Sequence, residues 1–127
     1  MNIVDQRALA EAIPNAVARG MGVLAKRSLA NAAWRSSTRP SREDIAIYRE
    51  RFQTMWPRGH ANEAWDAVSI RFAAHAPGVS SALVGSRDTD HLARAVAQVA
   101  EGPLEGERLR GLAILFERHG RDWGGLV

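Results

Sequence analysis

Two short apolar runs constrain most strongly what this chain can fold into. The first covers Met21 to Ala25 and the second covers Ser80 to Val84. Periodicity alone does not distinguish the first run from a fragment of helix, but its length and flanking glycines favour a buried strand. The second is a short run with β-forming character that ends at a Gly-Ser-Arg turn. Helical patterns lie between the two runs, so the strands are predicted to be parallel neighbours joined by a helical crossover. The sequence therefore predicts an α/β fold that is rich in helices.

The helices are predicted from apolar spacing and from the residues that begin and end them. Pro14 suits the start of a helix, and Gly20 suits its end because glycine readily adopts the left-handed conformation. The predicted order is a helical turn over 5–12, a helix over 14–19, the first strand, a loop over 26–40, a helix that begins at Ser41 and is ended by Pro57 and Gly59, a helix over 61–76, the second strand, a helix ended by Gly102-Pro103, a helix over 104–119 and a loose tail around Trp123.

Four apolar stripes at helical spacing are predicted to face the core. Ser41 and Asp44 form a capping-box-like start to the helix that carries the first stripe. The stripes, in chain order, are Ile45, Tyr48, Phe52, Met55 and Trp56; Ala64, Trp65, Val68 and Phe72; Leu92, Val96 and Val99; and Leu109, Leu112, Ile114 and Phe116.

Two parallel strands by themselves make an incomplete sheet. Both outer edges are left unpaired, and the flanking helices have too little sheet to cover. This physical argument indicates that further strands complete the sheet, or that the chain associates with itself through the open edges.

Composition excludes several kinds of chemistry. The 127 residues match one domain and include no cysteine, which rules out thiolate nucleophiles, disulfides and cysteine-ligated zinc. The four histidines show no metal-ligand spacing, and no apolar run approaches the roughly 18–20 residues of a membrane span. We therefore expect no metal site, no membrane association and a cytoplasmic location. The net charge of +3 comes from dispersed arginines without a basic stripe interleaved with aromatics, so nucleic-acid binding is not expected.

The turn after the second strand has the features of a phosphate site. Gly85, Ser86 and Arg87 follow the strand directly, Asp88 is a candidate N-cap, and His91 lies in the first turn of the next helix. Such a junction directs backbone N–H groups, the positive end of a helix dipole and a guanidinium group towards one point. The alternative interpretation is an ordinary strand-to-helix turn.

The order of strand, Gly-Ser-Arg turn and helix with an early His resembles the last strand and phosphate-binding turn of aldo/keto reductases, which grips the 2′-phosphate side of NADP(H). The segment 22–29 is similar to the end of the seventh strand of that family, with Lys26 at the position of the aromatic residue that stacks on nicotinamide and with Leu29 retained. The opening Asn2-Ile3-Val4-Asp5 resembles the Tyr-Asn-Leu-Leu segment after the sixth strand. The resemblance extends to about Pro103.

This resemblance implies the C-terminal half of a (β/α)8 barrel, a fold of about 250 residues. The chain would comprise a helix and strand 7 over 1–25, a loop and helical excursion over 26–78, strand 8 and a helix over 79–103, and a C-terminal helix and tail over 104–127. The residues implied at the NADP(H) site are Lys26, Arg27, Ser28, Leu29, Gly85, Ser86, Arg87 and His91. Lys26 and Arg27 are expected to hold cofactor phosphates, unless they are only a solvated strand end.

The family reduces aldehydes or ketones with NADPH. Its catalytic Tyr, Lys, Asp and His belong to the N-terminal half, so the resemblance implies no catalytic residue in this chain and no activity for it alone. Tyr48, the only tyrosine, is predicted to be a core residue, and Trp34 is a candidate for the border of a substrate pocket. The alternative is a small helical interaction module, or a half-barrel that dimerises, without enzymatic activity.

Overall fold

The computed structural model describes residues 1–57 and 63–125, which form a helix-rich fold around a small parallel sheet. The elements are α1 (Ala12–Ala18), β1 (Leu24–Ala25), α2 (Glu43–Met55), α3 (Trp65–Ala74), β2 (Ser81–Ala82), α4 (Thr89–Ala100) and α5 (Gly106–His119), with 3₁₀ segments at Arg7–Leu9 and Ala30–Arg35. The predicted α/β class is confirmed, and the element order agrees with the prediction except that the predicted loop over 26–40 contains the 3₁₀ segment Ala30–Arg35. Within the described ranges no helix is long and apolar enough to cross a membrane.

The two strands pair in parallel, as predicted, but over fewer residues. Leu24 lies opposite Ser81, and Ala25 lies opposite Ala82. Side chains alternate between the two faces of a sheet, so Leu24, Ser81 and Leu83 share one face. That face is open, since Leu24 is 63% exposed and Leu83 is 51% exposed, whereas Ala25 on the other face is buried.

The core lies on the helical side of the molecule and is built largely from aromatic rings. The Phe52 ring centroid lies 4.9 Å from those of both Trp56 and Trp65, and the two tryptophans are 4.6 Å apart. Tyr48 is only 2% exposed, which confirms its prediction as a core residue. The first two predicted stripes therefore supply the centre of the core.

The helix ends agree with the sequence in part. Gly20 follows α1 with a φ of +68°, as predicted for a left-handed C-terminal glycine. The predicted capping box at Ser41 is wrong, because α2 begins after Arg42 and its N-terminus has no side-chain cap. The Asp44 carboxylate is instead engaged by the Arg42 guanidinium at 2.8 Å. The predicted beginning of α3 and the predicted role of Gly59 fall outside the described residues.

The two C-terminal helices bury less of their apolar stripes than the sequence predicts. In α4 only Ala95 is buried, while Leu92 and Val96 are 36% and 71% exposed. In α5 only Leu112 and Phe116 are buried. The prediction that the whole α4 stripe faces the core is wrong, because α4 packs against α3 with Ala95 buried, while Leu92 and Val96 stay exposed and Val99 is half-buried.

The C-terminal tail is docked, which corrects its prediction as a loose segment. The Trp123 ring packs against Phe116, with centroids 6.2 Å apart, and the Arg51 guanidinium lies 5.0 Å from the Trp123 ring centroid. Arg7 and Arg51 donate hydrogen bonds to the carbonyls of Trp123 and Gly124 at 2.9 and 2.6 Å. Burial lowers the pKa of Arg51, against the opposing attraction of Asp5. The tail is held because the two guanidinium groups satisfy its carbonyl oxygens.

Candidate functional site

A cavity of about 530 Å³ opens where the carboxyl ends of β1 and β2 meet. Its walls come from the segment after β1, the turn after β2, the beginning of α2 and one side of α4. Ligands of parallel α/β sheets characteristically bind outside the carboxyl ends of the strands. The cavity therefore lies at the edge of the sheet where a binding site is expected.

The fold brings most of the candidate site residues together around this cavity. Those that line it are Arg27, Ser28, Leu29, Gly85, Ser86 and His91. Lys26 and Arg87 are exposed and lie outside the lining. The pairing of β1 with β2 is what places these two separate strand ends at one site.

The turn after β2 is ordered by the residues that begin α4. Asp88 is the N-cap, as predicted, and its Oδ1 accepts a hydrogen bond from the Asp90 N–H at 2.9 Å. Ser86 Oγ accepts one from the Asp88 N–H at 3.1 Å, and His91 Nε2 lies 3.4 Å from Asp88 Oδ2. The Asp88 carboxylate therefore already complements the positive end of α4, and an anion in the cavity needs other cationic partners.

Gly85 leaves room for a ligand beside that turn. Apart from its two chain neighbours, no described residue has a heavy atom within 4 Å of the position that a Cβ would occupy at Gly85. A ligand can thus approach the backbone there without meeting a side chain.

The segment after β1 has an unusual backbone. Arg27, Ala30, Asn31 and Ala32 all have φ between +46° and +57°, and they are the non-glycine residues with positive φ in the described chain. This region is unfavourable for residues that carry a Cβ, although Asn tolerates it better than most. Asn31 Nδ2 is buried without a hydrogen-bond partner among the described residues, and Asn31 lines the cavity. Its amide is therefore a buried donor at the cavity wall that has no hydrogen-bond partner within the described residues.

The cavity lining carries a net positive charge. Its charged side chains are four arginines and one aspartate: Arg27, Arg35, Arg42, Arg94 and Asp66. Arg35 pairs with Asp66, and Arg42 pairs with Asp44, which also lies 3.8 Å from the Arg27 guanidinium. Hydrogen bonds from Arg42 hold the pKa of Asp44 below its usual value.

Arg94 differs from the other three arginines. It lies on α4, and it has no ion-pair partner within residues 1–57 and 63–125. An anion that enters the cavity therefore gains a charge-assisted contact with Arg94 without displacing a carboxylate of this chain.

The sequence does not mark Arg35 or Arg42 as residues of the site. They stand far along the chain from both strand ends, in a segment read as a loop and at a helix start. No local sequence pattern distinguishes these two arginines from other surface arginines, because their position at the cavity depends on the tertiary fold.

Comparison with protein-family models, curated proteins and solved structures gave no match for this chain. Across the described ranges no group of three or more His, Asp or Glu side chains is arranged to hold a metal ion. The cavity lining offers arginine side chains, the backbone turn after β2 and the Asn31 amide.

Proposed function

We propose that the cavity binds a phosphorylated nucleotide, with NADP(H) as the cofactor, and that this chain supplies part of an aldo/keto reductase-like site for carbonyl reduction. One observation carries this proposal: both strand ends and four arginines converge on a single cavity. The separate resemblances of the two strand ends to one cofactor site agree with that convergence.

The chemistry of the cavity favours an organic phosphate as its ligand. Guanidinium groups present a planar set of donors that matches phosphate oxygens. The volume of about 530 Å³ lies in the range of about 300–1,000 Å³ of small-molecule sites. Asn31 and the space beside Gly85 add a donor and an approach to the backbone.

The open sheet face supports a larger barrel as the setting for this site. Leu24 and Leu83 are exposed on one face of the sheet, as expected of strands that normally meet further strands and side chains. In a (β/α)8 barrel the ligand lies at the carboxyl ends of the strands, where this cavity opens. Tyr48 is buried in the helical core and does not line the cavity, so the catalytic tyrosine of the proposed barrel would be a different residue.

Calorimetric titration of the full chain with NADPH, NADH and inorganic phosphate tests the proposal. We expect NADPH to bind more tightly than NADH, because only NADPH carries the 2′-phosphate. Arg94→Ala should weaken NADPH binding by roughly ten- to a hundredfold, the value of a lost charge-assisted contact of about 1.5–3 kcal/mol. Arg118→Ala, an exposed arginine of α5 away from the cavity, is the matched control and should bind as the unaltered chain does.

Arg87→Ala serves as a second comparison. Because Arg87 lies outside the cavity lining, its loss should weaken binding less than the loss of Arg94. If Arg94→Ala and Arg118→Ala weaken NADPH binding equally, the effect comes from the overall charge of the chain rather than from a contact of Arg94 with the ligand. No measurable NADPH binding by the unaltered chain would overturn the proposal.

The exposed apolar side chains favour a second candidate function, a dimerising half-barrel or helical interaction module. Leu24, Leu83 and Val96 would be covered if two copies met through the open sheet face and α4. This function needs no ligand in the cavity, so nucleotide binding and self-association can be measured separately.

A further inference from the structure

Two carbonyl groups of the segment after β1, those of Arg27 and Ser28, accept hydrogen bonds from buried polar side chains in distant parts of the chain. The segment spans residues 27–32 and includes the four residues with positive φ. Its internal hydrogen bonds, from the Ala30 N–H to the Arg27 carbonyl and from the Ala32 N–H to the Leu29 carbonyl, make only short turns. Two side chains from elsewhere in the chain, Asn2 and Ser69, add hydrogen bonds to the Arg27 and Ser28 carbonyls.

Asn2 is the first of these side chains. It is fully buried, and its Nδ2 donates a hydrogen bond to the Arg27 carbonyl at 3.0 Å. Its Oδ1 accepts one from the Val4 N–H at 3.0 Å. Both the Nδ2 and the Oδ1 atoms of Asn2 are therefore hydrogen-bonded. Through them Asn2 links the N-terminal residues to Arg27, the first residue of the segment with positive φ.

Ser69 is the second. It lies on α3, is fully buried, and donates a hydrogen bond from Oγ to the Ser28 carbonyl at 2.7 Å. Ser28 is also fully buried, and its own Oγ donates to the Ala25 carbonyl at the end of β1 at 3.0 Å. A continuous set of hydrogen bonds therefore connects α3, the segment and the strand.

A left-handed backbone at several residues with a Cβ persists only where the surroundings hold it. Without such contacts the segment would relax towards the ordinary helical or extended regions. Arg27 and Asn31, two of the residues with positive φ, line the cavity, so relaxation of the backbone would move both away from their present positions.

We infer that Asn2 and Ser69 are positioning residues, which hold the segment 27–32 in its left-handed shape and thereby keep Arg27 and Asn31 on the wall of the cavity. The part of this inference that concerns ligand binding rests on the proposed nucleotide site. Neither side chain lines the cavity itself, so both act through the segment.

The test compares Asn2→Ala and Ser69→Ala with Gln6→Ala in the full chain. Gln6 is a matched control, because it too is buried and donates its amide to two backbone carbonyls, those of Ile3 and Leu112 at 3.1 and 3.0 Å. It lines no part of the cavity. Ser69→Ala removes a single oxygen atom, so it keeps the test decisive if Asn2→Ala fails to fold.

The first measurement is the NOE between the amide proton and the Hα of the same residue for Ala30, Asn31 and Ala32. A positive φ brings these two protons close together and makes the NOE strong. We expect strong signals in the unaltered chain and in Gln6→Ala, and weakened signals in Ser69→Ala and Asn2→Ala. Unchanged signals in both of the latter would overturn the inference, whatever the ligand data show.

The second measurement is calorimetric affinity for NADPH. We expect Ser69→Ala and Asn2→Ala to bind roughly three- to tenfold more weakly, and Gln6→Ala to bind as the unaltered chain does. Weakened NOE signals with unchanged affinity would overturn the positioning role. If the unaltered chain binds no NADPH, the proposed function fails by itself, and the NOE comparison alone decides whether the two side chains hold the segment.

Discussion

The helical side and the sheet side of this molecule carry similar apolar patterns but bury them to very different degrees. On the helical side, Phe52, Trp56 and Trp65 lie within 4.9 Å of one another by ring centroid and are at most 6% exposed. The sheet side comprises the open face of β1 and β2 together with the exposed face of α4. There Leu24 and Val96 are 63% and 71% exposed. The aromatic residues of the first region are buried against one another, whereas the second region exposes apolar side chains that no described residue buries.

This difference shows that an apolar stripe indicates which helix face is suited to burial, but not whether another part of the same chain covers that face. On the helical side the apolar stripes of α2, α3 and α5 bury one another, so they are covered by residues of the same chain. The sheet side is where the resemblance to a barrel implies further strands, and where self-association is the alternative. The cavity lies between the two regions, with walls from both.

The largest expected effect is on the helical side. Phe52→Ala should lower the free energy of unfolding by about 3–5 kcal/mol, because the ring packs against Trp34, Trp56 and Trp65. Val96→Ser, a change of an exposed residue, should alter it by no more than about 0.5 kcal/mol in the monomer. Urea denaturation at low protein concentration measures both values. Similar losses for the two variants would break the comparison between the regions.

A smaller effect is expected on self-association. Leu24→Ser combined with Leu83→Ser should weaken association by about tenfold or more, because the apolar sheet face would no longer gain by burial. Sedimentation over a range of concentrations measures this. Ile114→Ser is the control, since Ile114 is 59% exposed on α5 and lies on the helical side. A chain that stays monomeric at high concentration would contradict the prediction for the sheet face.

The smallest effect concerns Asp44, which lies between the two regions beside Arg27 and Arg42. Its pKa in the fold is lowered from 3.8, chiefly by hydrogen bonds from Arg42. A lowered pKa contributes stability that is complete above the unfolded value and is lost as the pH falls through the folded value. The unaltered chain should therefore be slightly more stable than Asp44→Asn at neutral pH, and the difference should vanish in acid below the folded pKa.

Denaturation at several pH values checks that prediction. Asp122→Asn is its control, because Asp122 is exposed and forms no ion pair within the described residues. A difference between the chain and Asp44→Asn that does not change with pH would mean that the carboxylate charge has no part in it.

Much of the candidate site could be predicted because its residues follow strands directly. The segments after β1 and β2 were identified from apolar runs, from the Gly85-Ser86 turn and from the N-cap Asp88, all of which are local signals. Parallel pairing followed from the helical crossover, and it implied that both strand ends share one edge. Arg35 and Arg42 could not be predicted, since they reach the cavity only through the path of the chain between the strands.

The sequence by itself determined the order of the helices and strands, their approximate positions, and that the two strands run in parallel. These properties depend on residues that are close in the chain, such as Gly20 after α1 and Asp88 before α4. Only the tertiary structure decided which apolar stripes are covered, that four residues of the segment 27–32 adopt positive φ, and which arginines surround the cavity. The physical reason is that burial and backbone strain depend on groups far apart in the chain, such as Ser69 and the Ser28 carbonyl, which meet only after folding.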